Sequence, residues 1–213
     1  MQNADFELQL ANAVDWWLDR VQEALEGILI VGPTPGAAPI DQVVEACDRV
    51  RCQSVRAELD AEVVSILIDS NNYQEARELT SGRLAQHVLQ AQYHAAQADS
   101  AARQIAGYLE QADRTIEQAQ SLLSLAAQSG WAVDHEWLRR AVARSANLRS
   151  RLAEAEQESR SATEAAFLAT AHAVTARVAH GLAEVDLERA ELSDQIAQIG
   201  GNELPPRDNH NRH

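Results

Sequence analysis

Lysine is missing from this chain: all 18 basic residues are arginine. Every chemistry that begins at a lysine amine goes with it. That removes the phosphate-gripping lysine of nucleotide-binding loops, the strand lysine of kinases and Schiff-base catalysis. Aromatic residues are only 4% of the 213 residues, so a packed core must be aliphatic and rich in alanine. Cysteine is limited to Cys47 and Cys52. On one helix these two point about 140° apart, so they should not pair with each other. No secretory leader opens the sequence, and the thiols therefore read as reduced, in a cytoplasmic protein. No run of about 18 apolar residues occurs, so no membrane-spanning helix is expected. The densest apolar patch, Ile28-Leu29-Ile30-Val31, is far too short. The formal charge of -14 sets a field that repels nucleic acid and anionic membranes alike.

Alanine at heptad spacing is what the chain has instead. From Leu84 to Ala126 one set of positions holds Leu84, Ala91, Ala98, Ile105, Ala112, Ala119 and Ala126, and the other Val88, Ala95, Ala102, Leu109, Ile116 and Leu123. The alternation of three and four residues does not slip, which is a coiled-coil pattern with a narrow apolar seam. Small side chains let two helix axes approach closely while burying little area each.

The rest of the chain is organised around this stretch. Residues 1–31 read as an amphipathic helix, with Leu10, Val14, Trp17, Val21, Ala24 and Ile28 on one stripe. Three prolines and two glycines in residues 32–39 mark a linker. Residues 40–70 form a second helix, with Val43, Cys47, Val50, Ser54, Ala57, Ala61, Val64 and Ile68 on its seam. Val44, Val55, Val63 and Leu67 make a second flank, so burial on two sides is expected. After the turn Ser70-Asn71-Asn72, residues 73–199 should be one long hairpin turning near 129–134. A run over Tyr73–Leu79 resembles the inter-helix turn of a tetratricopeptide repeat, without a second copy at that period. The resemblance implies only a helical hairpin.

The returning helix carries Leu138, Ala141, Ser145, Leu148, Leu152, Ala155, Ser159, Ala162, Ala166, Ala169, Ala173 and Ala176 at the same spacing. Folded back, Leu123 meets Leu138, Leu109 meets Leu152 and Ala98 meets Ala162, large against large and small against small. A second apolar row begins at Phe167 and includes Val174, Val178, Val185, Leu192, Ile196 and Ile199. The simplest cover for it is the first two helices, gathered at the base, with residues 105–152 projecting as a bare arm. Residues 200–213, with Pro205-Pro206, read as a disordered tail. The expected fold is all-α: a long antiparallel coiled-coil hairpin with two shorter N-terminal helices bundled at its base.

Candidate chemistry is sparse. His87 and His94 are two turns apart on one helix, as are His172 and His180, too far to share one metal without a partner helix. No Glu-x-x-His spacing of helical di-iron proteins occurs. Glu154, Glu156, Glu158 and Glu164 lie on a solvated flank without a pocket to shift a pKa. No catalytic residue, metal site or cofactor is expected. The features that rise above background are Arg139, Arg140, Arg144, Arg149 and Arg151, a run with no acid between Trp137 and Ala153, and the neighbouring pair Trp131 and Trp137. Arginine and tryptophan dominate interaction hot spots. The expected function is a non-enzymatic scaffold or adaptor that binds a protein partner at this tip or self-associates along its alanine seam. The alternative is nucleic-acid or ribosome contact through the Arg cluster.

Overall fold

The computed structural model describes residues 2–29, 39–128 and 135–202. Among them the chain is helical, with no strand. The helices are α1 (Gln2–Leu29), α2 (Pro39–Asp69), α3 (Tyr73–Leu79), α4 (Ala85–Gln128) and α5 (His135–Asn202). The linker, apart from Pro39, and the turn near 129–134 lie outside the described residues.

Local chemistry sets the ends. Pro39 opens α2, where its missing N–H is no loss, and Asp41 places a carboxylate in the first turn. At the other end the Asn72 N–H donates to the Leu67 carbonyl at 2.8 Å, which wraps the last turn of α2. Asn71 takes φ of 56°, the left-handed region that asparagine tolerates better than most residues. A single π-turn, Thr80–Leu84, joins α3 to α4, and the Thr80 hydroxyl donates to the Ala76 carbonyl at 2.8 Å. Gly107 lies inside α4 without ending it, and α5 continues through Gly200 and Gly201 to Asn202. The double glycine is therefore not the stop expected of it, and only residues 203–213 of the expected tail lie outside the description.

The chain divides into two compact units, Met1–Arg49 with His94–Thr170, and Val50–Tyr93 with Ala171–His213. In each, the heptad positions are the core. Of the α4 seam every member but the half-buried Leu109 is buried, with Leu84 closing it at the end of the π-turn; on α5 so is every member from Ala141 to Ala176. In the first unit α4 meets α5 where the Gln120 side-chain amide donates to Ser145 Oγ at 3.5 Å. In the second, Arg77 pairs with Glu191 at 2.6 Å and His180 Nε2 reaches the Thr80 carbonyl at 3.2 Å, so α5 runs antiparallel to the α3 end.

Three expectations need correction. Helix α1 lies against α4 at Tyr108 and against α5 at Trp137 and Arg144, so this part of the expected arm is not bare. Trp137 Nε1 donates to Asp15 at 3.3 Å, Arg144 pairs with Asp19 at 2.6 Å, and a Cβ on Gly27 would touch the Tyr108 ring at 3.4 Å. The cause is the broad apolar face of α1, where Val14, Leu18, Val21, Leu25 and Ile28 are all buried and need cover along the helix. The second flank of α2 is not buried either, since Val44, Val55 and Val63 are exposed and Leu67 only half-buried. The row from Phe167 to Ile199 is exposed as well. At about 100° per residue, Val185 points directly away from Ala176, so no helix packed on the seam can cover it.

Burial at these positions predicts an asymmetry. Leu18→Ala and Ile116→Ala should each lower the unfolding free energy in urea by about 2–5 kcal/mol. Leu89→Gln, on an exposed face of α4, should change it by about 0.5 kcal/mol or less. Equal losses at all three would contradict the packing described.

Candidate functional site

The arginine and tryptophan cluster is partly used within the chain. Trp131 lies outside the described residues. Trp137 is half-buried and its indole N–H is taken by Asp15. Arg144, also half-buried, donates to Asp19 and to Gln22 Oε1, the latter at 2.9 Å. Arg139, Arg140 and Arg149 are exposed, and Arg151 is half-buried. The acid that pairs with Arg144 thus comes from α1. Asp15, Asp19 and Gln22 follow at four and three residues on one flank of α1, a signal present in the sequence but readable only once α1 is known to lie there.

On the same unit a groove of about 420 Å³ opens between α1 and α4. Trp16, Trp17 and Arg20 line it from α1, with Gly107, Glu110, Gln111, Arg114 and Thr115 from α4. Trp16 is 51% exposed and meets Trp17 edge-on, with ring centroids 4.5 Å apart. The Arg20 guanidinium stands 5.3 Å above the Trp16 ring, within cation–π range. Arg20 also pairs with Glu23 at 3.2 Å, and Arg114 pairs with Glu110. This is an aromatic and cationic surface of the kind sought at the tip, supplied instead by the first helix.

The second unit holds a polar network against its core. Asp60 is buried, at 7% exposure, and receives Arg83 through both oxygens at 2.6 and 2.8 Å. His87 Nε2 lies 3.5 Å from the same carboxylate, and its Nδ1 lies 2.7 Å from Gln53 Oε1. The network fastens α2 to the start of α4, and every polar group named in it has a partner. At the far end of this unit the Tyr73 hydroxyl is pushed above its ordinary range by desolvation, and next by the charge and hydrogen bond of Asp194.

His94 bonds to Gln97 at 2.8 Å, and His180 stands 3.5 Å from Glu184. Among the described residues no three His, Cys, Asp or Glu side chains come together as a metal ion would require. Among the described residues no helix is long and apolar enough to cross a membrane. Cys47 donates its thiol proton to the Ala165 carbonyl at 3.2 Å, while Cys52 is exposed. Burial first, and the Asp48 charge second, push the Cys47 thiol up, which disfavours its thiolate.

Apolar side chains are also left open. On α2, Val55, Leu59 and Ile66 face outward; on α5, so do Val174, Val178, Val185, Leu192, Ile196 and Ile199. Comparison with protein-family models, with curated proteins and with solved structures finds no match to this chain.

Two outcomes check this geometry. A thiol reagent at neutral pH should modify Cys52 rapidly and Cys47 slowly, with Cys47 catching up as pH rises, because only the thiolate reacts. Equal rates would contradict the Cys47–Ala165 contact. In a double-mutant cycle, Arg144→Ala and Asp19→Ala should couple by about 0.5–1 kcal/mol, the range for partly exposed pairs. Zero coupling would contradict the docking of α1 on α5.

Proposed function

We propose that the chain is a non-enzymatic scaffold or adaptor of coiled-coil type, whose work is to bind protein through helix faces it leaves open. The observation that carries this reading is the apolar face of α5 opposite its buried seam, from Val174 to Ile199. Exposed apolar residues scattered singly need no explanation, but a contiguous row at helical spacing marks an interaction surface. The alanine seam itself is covered within the chain, so self-association along it would have to displace packed helices. Support for a hairpin of α4 and α5 comes from the burial of their heptad positions and the Gln120–Ser145 contact.

The tip remains a second candidate surface through Arg139, Arg140 and Arg149, beside the Trp16 and Arg20 groove. A nucleic-acid role for these arginines is opposed by the charge of -14, and the pairing of Arg144 with Asp19 takes one cation from the run. The experiment is a binding screen on the full chain. Protein capture should be lost on replacing apolar residues of the open faces, as in Leu59→Asp with Ile66→Asp or Val178→Asp with Val185→Asp, at unchanged helicity. Arg139→Glu with Arg140→Glu should leave capture intact if the apolar faces are the site. Tight binding of duplex DNA or RNA that falls about a thousandfold between 50 and 200 mM salt, with capture indifferent to the apolar changes, would overturn the reading.

A further inference from the structure

Within the second unit, the outward side of α5 repeats a coiled-coil pattern that no described residue covers. Val174, Val178, Gly181, Val185, Glu188, Leu192, Gln195 and Ile199 follow at four and three residues. Val174, Val178, Val185, Leu192 and Ile196 point within about 20° of the direction opposite the buried Ala176, and they are 45–69% exposed. A Cβ built on Gly181 would meet nothing within 4 Å, so the row is open at its middle.

We propose that this face pairs with the same face of a second copy of the chain, antiparallel, with Val174 of one copy against Leu192 of the other. The inference rests on the scaffold reading and names its partner. A narrow row with this spacing asks for a helix with the same repeat, and α5 is such a helix. The register that sets Val174 against Leu192 also sets Gly181 against Val185, where the missing side chain leaves room for valine. It brings Arg177 to within about one residue's rise of Glu188 in the second copy. Both are exposed. Glu188, the row's charged position, falls level with Val178 of the second copy, and at about 100° per residue it and Arg177 lean to the same side of the row. Two-fold symmetry makes that contact twice. A parallel pairing would instead set Arg177 level with Arg177 and Glu188 level with Glu188. The six apolar side chains from Val174 to Ile199 offer about 600 Å² per copy, or about 1,200 Å² in the pair, which reaches the lower end of stable interfaces.

The test is sedimentation of the full chain at about 0.15 M salt, where repulsion between two copies of charge -14 is screened. A dimer at micromolar concentration is expected. Val178→Asp with Val185→Asp should give a monomer of unchanged helicity. Arg177→Glu alone and Glu188→Arg alone should each weaken the dimer about tenfold, and the two together should restore it to within about threefold of the parent. A parent chain that stays monomeric to about 100 µM, far weaker than interfaces of this size hold, overturns the pairing. So does a dimer that ignores the aspartates, or single charge changes that the double change fails to repair. If the parent is monomeric but a protein partner is captured and then lost with Val178→Asp and Val185→Asp, the second-copy inference fails and the scaffold reading stands.

Discussion

Close approach along small side chains is the constraint on which this structure depends. Alanine fills most of the heptad positions of α4 and α5, and every one of those alanines within the two seams is buried. Alanine removes little apolar area from water per residue, so such a seam is stabilised by its length and by the third helix laid against it. Both units show that third helix. Helix α1 supplies it in the first, with large residues such as Leu18 and Leu25, and α2 supplies it in the second, with Val50 and Val64. Large side chains on the covering helix fill what the alanines leave open, consistent with a core that has almost no aromatic residues.

Much of this was legible in the sequence, and the parts that were not share a cause. Period is a local property, so the seam could be read residue by residue, down to the placement of Ser145 and Ser159 among the alanines. What covers a stripe is not local. The docking of α1 on residues 105–152 depends on Asp15 and Asp19 meeting Trp137 and Arg144 more than 100 residues away, and no spacing within either helix announces that. The same blindness misplaced the outer row of α5. A second apolar row is visible at Phe167 and beyond, but apolar spacing does not distinguish a face buried by the chain from one left open. Angle could have decided it, because Val185 lies opposite Ala176 and one packing helix cannot reach both.

The candidate site followed a similar course. Arginine and tryptophan were the right residue types to follow, yet Trp137 and Arg144 serve to hold α1. Trp16 and Arg20 make a further exposed aromatic and cationic pair, off the stripe that runs from Leu10 to Ile28. The proposed binding surface therefore moves from the tip to the open apolar faces. In the second unit, α5 buries one row of small residues and exposes a parallel row of large ones.

The most direct measurement of the central claim is the accessibility of seam and face in one chain. With Cys47 and Cys52 replaced by serine, single cysteines at Ala98, Ala155 and Ala176 would be compared with one at the exposed Ala106. Maleimide labelling should be on the order of a hundredfold slower at the three seam positions, because each requires local opening. Labelling at a common rate at all four would show that the seam is not the buried organiser of this fold.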